Sequence, residues 1–583
     1  MNKFFRRRSL LAWYCFFVSI SLTGYSPGNI RAQKTPNDRP NIILIMSDDM
    51  GYSDIGSYGS EIATPNLDKL ARNGIRYTQF YNGARCCPTR ASLMTGLYPH
   101  QAGMGWMIGT DYNLPGYEAE LNKNCVTIAE VLKQSGYNTY MTGKWHLVKE
   151  VAKQQKYNWP LQRGFDKFYG IIMGASNYYD PAALCRNNTL ITPYTDASYK
   201  PASYYLTDAI SDNSVQYIKE HDTTKPFFMY VAYTAAHWPM QAPESAIQNY
   251  KGKYDQGWEK IRGERFDKMK RLGILEPAAE LSPSDGTAWK DEKDKAAMAR
   301  RMETYAAMVT IMDQGIGRLV DQLKKQGLFE NTIILYLQDN GGCAEIIGGG
   351  ATSQVSNTDG SKPLRKDEIH FKNSPPFTRD GKPVMQGKQL MAGPPDVYVS
   401  YLQNWANVSN TPFRQYKHWV HEGGIATPLI VHWPKGIKNK NEIRTQAGHV
   451  IDILPTLAEL GGAKYPKEYN NNSIVPAAGV SLVPTFTNKP LAREAIYWEH
   501  EMNRAVRMGK WKLVAAGELI DSTNRRREYY TNGSWELYDM EKDRSELHDL
   551  SSRHPDIVSK MSAMWEQYAN TTNVFPAPWK LKN

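Results

Sequence analysis

NIILIMSDD, residues 41–49, is the stretch that predicts the fold. An unbroken apolar run that ends in polar residues is typical of a β-strand buried on both faces, as in a parallel sheet. TIILYLQDN at 332–340 repeats the pattern, with Asp339 and Asn340 at its end. Three shorter apolar runs predict further strands: FFMYVAY at 227–233, NTYMT at 138–142 and PLIVHW at 428–433.

Segments with helical periodicity separate these strands. The clearest covers 303–326, where apolar residues recur every three to four positions up to Gly327, and another covers 126–136. Strands that alternate with helices indicate an α/β fold. We therefore expect a doubly wound, mostly parallel sheet flanked by helices.

Chemically active side chains follow the carboxyl ends of these predicted strands, which is the edge where open α/β sheets bind ligands. They are far apart in the chain, yet this placement would bring them to one crevice. The residues concerned are Asp48, Asp49, Lys144, His146, His237, Asp339 and Asn340.

Four of these residues, Asp48, Asp49, Asp339 and Asn340, offer only oxygen ligands. Oxygen donors suit Ca²⁺ or Mg²⁺ better than Zn²⁺. Asp and Asn also serve as cap and turn residues, so either pair alone would be compatible with a purely structural role. Two such pairs at one sheet edge favour a cation.

CCPTRASLMTG at 86–96 predicts a short helix with chemistry at its start. Pro88 suits the first helical turn, and Gly96 is a natural stop. Cys86 would then lie at the helix N-terminus, where the dipole favours negative charge, with Arg90 one turn on along the same face. A buried structural cysteine is the simpler interpretation of such a position.

This segment resembles the signature of the sulfatase family, Cys-x-Pro-x-Arg with Thr-Gly five residues later. The resemblance covers roughly residues 38–570 and is closest to bacterial arylsulfatases. It implies the alkaline phosphatase-like fold and oxidation of Cys86 to formylglycine by a maturation enzyme. It also implies one divalent cation, most often Ca²⁺, held by Asp48, Asp49, Asp339, Asn340 and the modified residue 86.

The resemblance extends to three further segments. Gly143–His146 is similar to the family's Gly-Lys-Trp-His element, which implies that Lys144 binds sulfate and His146 acts as a base. His237, followed by Trp238 and Pro239, implies a proton donor to the leaving group or a sulfate ligand. Lys417 lies five residues before Glu422, as in the matching family segment, which implies that its ammonium group is a second positive charge that binds sulfate. His421 replaces the tyrosine of many relatives.

The implied reaction is hydrolysis of sulfate monoesters, aryl sulfates or sulfated glycans. The cation and Arg90 lower the pKa of one hydroxyl of hydrated formylglycine, which attacks sulfur and forms a covalent sulfate intermediate. Lys144, Lys417, the cation and His237 stabilise the sulfate oxygens and the departing alcohol. His146 then assists release of sulfate. A phosphate or phosphonate ester hydrolase of the same superfamily is the alternative, and a non-enzymatic binder of sulfated glycans ranks below it. Trp498, Glu499, His500 and Asn503 are candidates for the substrate side.

The chain divides into a catalytic domain at 38–490 and a smaller α+β domain at 491–583. Residues 341–412, rich in Gly, Pro, Ser and Asn, read as an insertion near the active site. Beyond 490 we expect an antiparallel sheet of three short strands and a helix at 555–569. The strands are EAIYWEH at 494–500, RAVRMGKWKLV at 504–514 and SWELYDM at 534–540.

Residues 1–32 are typical of a signal peptide, with Lys3 and Arg6 to Arg8 before an apolar run at 10–22. We expect export to the periplasm or medium and no stable membrane span after cleavage. Removal of 1–32 takes away five basic and no acidic residues, so the net charge falls from +11 to +6. The basic residues do not form a compact stripe along the sequence, so we do not expect nucleic-acid binding.

Overall fold

A mixed sheet of eleven strands forms the centre of the molecule. The computed structural model describes residues 39–153, 155–517, 519–520, 526–527 and 534–578, so the predicted signal peptide lies outside the described residues. The strands of all sheets are β1 (Asn41–Ser47), β2 (Ile75–Tyr81), β3 (Asn138–Gly143), β4 (Lys167–Ile171), β5 (Leu184–Arg186), β6 (Thr189–Leu190), β7 (Phe227–Ala232), β8 (Thr332–Gln338), β9 (Ser353–Gln354), β10 (Met385–Gln386), β11 (Ala426–His432), β12 (Glu442–Arg444), β13 (Gly448–His449), β14 (Glu468–Tyr469), β15 (Asn472–Ser473), β16 (Ile496–His500), β17 (Asn503–Met508), β18 (Trp511–Ala515), β19 (Leu519–Ile520), β20 (Arg526–Arg527) and β21 (Glu536–Asp539).

Helices separate most strands of the central sheet. They are α1 (Pro65–Arg72), α2 (Cys86–Thr95), α3 (Ile128–Gln134), α4 (Leu206–Lys219), α5 (Glu244–Ile247), α6 (Trp258–Arg271), α7 (Lys295–Lys325), α8 (Leu402–Ser409), α9 (Glu422–Ile425), α10 (Ile453–Gly461) and α11 (Pro555–Thr571). None of the helices within the described ranges combines the length and apolar content needed to cross a membrane.

The strand order of the central sheet is β12–β2–β11–β8–β1–β7–β3–β4–β5–β6, with β13 also paired to β2. From β8 to β4 every neighbouring pair is parallel. This confirms the predicted mostly parallel α/β sheet. The apolar run that we assigned to a fifth strand forms β11, which is antiparallel to both β8 and β2.

Strand β1 shows why the apolar runs had to be continuous. Its side chains alternate between two hydrophobic cores, one on each face of the sheet. Ile43 and Ile45 pack with α1, α4 and α7, whereas Ile42 and Leu44 pack with α2, α3 and α10. A strand covered by helices on both faces has no side that can carry polar residues, so its polar groups are left to its ends.

The C-terminal sheet has the order β16–β17–β18–β21 and is antiparallel throughout. It therefore confirms the predicted antiparallel sheet but corrects its strand count. The segment 504–514, expected to form one strand, folds back at Gly509, whose φ of 56° suits glycine, so that Met508 pairs with Trp511. Helix α11 packs on this sheet as expected. The domain boundaries at 490 and 491 remain predictions.

A buried ion pair joins the C-terminal sheet to the central domain. Lys512 on β18 lies 3.0 Å from Glu422 Oε1 and 2.8 Å from Glu546 Oε1, and all three side chains are fully buried. Glu422 begins α9, which leads directly into β11. The pair therefore fixes the smaller sheet against the strand that follows the Lys417 segment.

We expect Lys512→Ala to lower the free energy of unfolding by about 3–5 kcal/mol, because it removes the buried cation that Glu422 and Glu546 share. Glu422 keeps a second cation, Arg544, at 3.0 Å from its Oε2. Lys510→Ala is the matched control two residues away. Lys510 is 40% exposed and pairs with Asp539 at 3.0 Å, so its loss should cost about 0–1 kcal/mol. Urea unfolding of both variants checks the difference, and equal losses would contradict it.

Candidate active site

The carboxyl ends of β1 and β8 bring four predicted metal ligands together. Ser47 and Gln338 are register partners, so the residues that follow them meet at the sheet edge. The Asp49 amide donates to Asp339 Oδ1 at 3.2 Å, and Asn340 Nδ2 donates to Asp49 Oδ1 at 2.7 Å. Asp48, Asp49, Asp339 and Asn340 are all buried.

Helix α2 begins at Cys86, as the sequence predicts, and ends at Gly96, whose φ is 68°. Arg90, one turn after Cys86, is completely buried and reaches the metal-ligand cluster. Its Nη2 donates to Asp339 Oδ2 at 2.7 Å, and Nη1 donates to the Lys144 carbonyl at 3.2 Å. The signature helix is therefore tied to two of the strand ends.

Two buried lysines flank the carboxylates. Lys144 follows β3, and its Nζ donates to Asp48 Oδ2 at 2.7 Å. The chain turns into this position at Gly143, where a Cβ would lie 1.8 Å from the Ala232 carbonyl oxygen. Lys417 comes from a loop before α9, and its Nζ donates to Asp49 Oδ2 at 3.0 Å. The two cations lie on different carboxylates of the Asp48–Asp49 pair.

The two predicted histidines occupy different parts of the site. His237 lies with Nε2 3.3 Å from Asp49 Oδ2, and its Nδ1 donates to the Trp238 carbonyl at 2.7 Å. His146 instead lies beside α2, with Nε2 3.2 Å from Cys87 Sγ. Burial lowers the pKa of His146 to about 4, so its imidazole is neutral at pH 7. A neutral ring suits the role of a base.

The donor set fits a divalent cation. Asp48 Oδ1 and Asn340 Oδ1 are buried, and neither accepts a hydrogen bond from any described residue. Buried acceptors are seldom left without a partner. Carboxylate and amide oxygens are the ligands of Ca²⁺ and Mg²⁺. These two oxygens are therefore available to a cation at the sheet edge.

The electrostatics around Cys86 favour its anionic form. Its hydrogen bond with Cys87 and the nearby charge of Lys144 outweigh burial, which holds the pKa of the Cys86 thiol well below its usual range. At Cys87 burial is the dominant influence and raises the pKa of the thiol well above its ordinary value. The two adjacent thiols thus differ in reactivity.

Several non-glycine residues around the site have a positive φ, which costs about 1–3 kcal/mol each and is common at functional sites. They lie on several of the segments that approach the site, and the rest of the fold holds them there. They are Asp49 (φ 56°), Ala84 (64°), His146 (59°), His418 (86°) and Glu501 (52°).

The structure adds four residues that the sequence did not single out, which we call the rim: Arg85, Glu345, His418 and Glu501. Arg85 precedes Cys86 and lies 3.3 Å from Glu345 Oε1 and 3.0 Å from Glu501 Oε1. Glu345, from the predicted insertion, is 3.5 Å from Lys417 Nζ. Burial would raise the pKa of Glu345, but Lys417, His418 and Arg85 outweigh it and lower the pKa well below its usual range.

The residues expected on the substrate side have mostly structural contacts. Trp498 is buried against Tyr81 and donates to the Asn82 carbonyl at 2.9 Å. Glu499 pairs with His100, and Asn503 donates to the His500 carbonyl at 3.1 Å. Two of them approach the rim: His500 Nε2 lies 3.5 Å from Glu501 Oε1, and Asn503 Nδ2 donates to the His418 carbonyl at 3.4 Å. His421, which replaces the tyrosine of many relatives, lies away from the rim, with Nε2 3.6 Å from Glu536 Oε2.

Comparisons with known proteins agree with this geometry. Residues 40–463 match the family model Sulfatase, and residues 414–571 match the model for the N-sulphoglucosamine sulphohydrolase C-terminal region. An arylsulfatase of Klebsiella aerogenes is 33% identical over 80% of this chain and 96% of its own. An uncharacterized sulfatase of Schizosaccharomyces pombe is 31% identical to this chain, and the match covers 94% of this chain and 96% of the relative.

Solved structures give the same result. The crystal structure of Ps i-CgsB in complex with k-i-k-neocarrahexaose has a TM-score of 0.61 and 25% identity, and the match covers 93% of this chain and 97% of that one. The family model covers most of the chain and includes Cys86, Arg90, both lysines, both histidines and the four oxygen-donor residues of the site. The chain therefore belongs to the sulfatase family, whose members hydrolyse sulfate esters.

Proposed function

We propose that this sulfatase is of the arylsulfatase type and uses formylglycine at position 86 together with one Ca²⁺ held at Asp48, Asp49, Asp339 and Asn340. Sulfated glycans are its proposed natural substrates. The observation that carries the proposal is the pair of unpartnered oxygens of Asp48 and Asn340, which lie among Arg90, Lys144 and Lys417. These groups offer a cation site and a cradle for sulfate in one place.

The two proposed groups supply what the unmodified side chains lack. Hydrated formylglycine offers two hydroxyls on one carbon, one to attack sulfur and one for sulfate release, and Ca²⁺ offers positive charge beside them. Asp48, Asp49, Asp339, Asn340 and residue 86 itself would hold the cation.

The chain's own residues then have separate tasks. Arg90 is pinned by Asp339 and keeps a fixed positive charge one helical turn from position 86. Lys144 and Lys417 supply cations for the sulfate oxygens, and their pairing with carboxylates keeps them charged although they are buried. His146, which is neutral at pH 7, accepts a proton near position 86. His237, whose Nε2 lies beside Asp49, donates a proton to the leaving group or binds sulfate.

A glycan substrate is supported by a relative, since Ps i-CgsB was solved in complex with k-i-k-neocarrahexaose. The N-terminal pattern of a charged start and an apolar run supports export to the periplasm or medium. The formylglycine-generating enzyme is the proposed maturation partner.

A substrate panel tests the proposal. We expect kcat/KM of the matured chain to be at least about tenfold higher for an aryl sulfate than for the matching aryl phosphate, because one cation and two lysines suit a singly charged ester better. At least one sulfated oligosaccharide should release sulfate as well. A preference for phosphate would favour the phosphate or phosphonate ester hydrolase, and no release from any sulfated oligosaccharide would remove glycans from the proposal.

A further inference from the structure

Cys87 has a role that the reaction does not explain. It follows Cys86 in the first turn of α2, is completely buried, and lies 3.2 Å from His146 Nε2 and 3.5 Å from His146 Nδ1. The ligand atoms of Cys86, Cys87 and His146 all lie within 4.8 Å of one another. Two sulfurs and an imidazole nitrogen thus lie in one small buried cluster.

We propose that Cys86, Cys87 and His146 form a zinc site in the chain whose Cys86 has not been converted. Zn²⁺ binds cysteine sulfur at about 2.3 Å and histidine nitrogen at about 2.0–2.1 Å, in tetrahedral geometry. Such ligands lie about 3.5–3.8 Å apart around one ion. The contact between Cys87 and His146 is already close to this spacing, so a small rotation of the side chains would complete the site.

The site is chemically distinct from the Ca²⁺ site. Thiolate and imidazole ligands select Zn²⁺, whereas the carboxylate and amide oxygens of Asp48, Asp49, Asp339 and Asn340 select hard cations. Zn²⁺ binds both residues as thiolates, so any proton still held by either thiol passes to solvent, and water completes the fourth position. Both thiols remain reduced, so the step needs no oxidant.

Conversion of Cys86 abolishes the site. Formylglycine carries no sulfur, so two of the three ligands, Cys87 and His146, would remain. Zinc binding is therefore a property of the unmatured protein, in which it occupies the base His146 and covers the thiol that should have been modified. The inference rests on the proposed function only in taking Cys86 as the residue that is converted.

Zinc content of the unconverted chain tests the proposal. The full chain is produced in a host without the maturation enzyme, and mass spectrometry confirms a thiol at Cys86. With Ca²⁺ in excess to fill the oxygen site, we expect one tightly bound Zn²⁺ per chain. Cys87→Ser should weaken zinc binding by about a hundredfold or more, because it removes a direct ligand. Cys125→Ser, at a buried thiol that instead donates to the Asn122 carbonyl at 3.3 Å, should leave it unchanged.

Co²⁺ provides a second measurement that does not depend on stability. A thiolate–Co²⁺ charge-transfer band should appear with the unconverted chain and be lost in Cys87→Ser and in the converted chain. The proposal would be overturned if excess Ca²⁺ displaced the zinc. It would also be overturned if the converted chain held zinc as tightly as the unconverted chain. Turnover of an aryl sulfate by the converted chain tests the proposed function separately.

Discussion

Cys86→Ala is expected to lower kcat/KM for an aryl sulfate by at least about 10⁴-fold, as loss of a nucleophile does in other hydrolases. Cys87→Ala should change it by less than about tenfold. The two residues are adjacent and equally buried, so they form a matched pair of substitutions. They differ because the helix places Arg90, four residues on, on the Cys86 face, where it reaches Asp339.

Peptide mass spectrometry completes this experiment. The active preparation should carry the aldehyde at position 86 and a thiol at position 87, and the activity of mixed preparations should follow the converted fraction. A chain with an unmodified thiol at 86 should have the circular dichroism of the folded protein but almost no activity. Full turnover from that thiol, or equal losses in the two alanine variants, would contradict the assignment.

The sequence was sufficient to predict the strands that position the site. β1, β7 and β8 are buried on both faces, so their central residues form continuous apolar runs and polar groups collect after them. The shorter β3 is almost as buried, although it contains Thr139 and Thr142. That is why Asp48, Lys144 and Asp339 could be placed at one edge before their contacts were known. The pattern lies within each segment, so no long-range information was needed.

Strand β2 escaped prediction because its polar residues are satisfied far along the chain. Arg76 is buried in the strand, where its Nη1 donates to the Ser57 carbonyl and its Nη2 to Asn441 Oδ1. Such a residue breaks an apolar run, although the strand is as buried as its neighbours. One of these partners, Asn441, is 365 residues away, so the contacts that compensate for the polarity of Arg76 leave no local signal.

The rim escaped prediction for the same reason. Glu345 lies in an irregular segment, and its importance comes from contacts with Lys417, Arg85 and the Trp238 indole, which donates to it at 2.6 Å. No spacing in the sequence links these residues. Conversely, Trp498 was a candidate for the substrate side, whereas Tyr81 from the central sheet packs against its ring.

Removal of the cation is expected to inactivate the enzyme and to lower its thermal stability, both reversed by added Ca²⁺. An ion that binds the folded state alone stabilises it by about 2.7 kcal/mol at a hundred times its Kd. Asn340→Ala should weaken Ca²⁺ binding at least about tenfold and lower kcat/KM at a fixed Ca²⁺ concentration by about 10²-fold or more. It removes a ligand oxygen but no charge, so the ion pairs of Lys144, Lys417 and Arg90 remain.

Asn331→Ala is the control for this effect. Asn331 precedes β8 and Asn340 follows it, so the two asparagines flank the same strand at opposite edges of the sheet. Each has a buried Oδ1 that accepts no hydrogen bond from a described residue. The Asn340 amide donates to Asp49 Oδ1 at 2.7 Å, whereas the Asn331 amide donates to the Arg39 carbonyl at 3.2 Å. Thermal melts and activity titrated against Ca²⁺ after chelation should therefore shift for Asn340→Ala and coincide with the parent chain for Asn331→Ala. If both variants keep the parent's Ca²⁺ dependence, the cation does not bind at this end of β8.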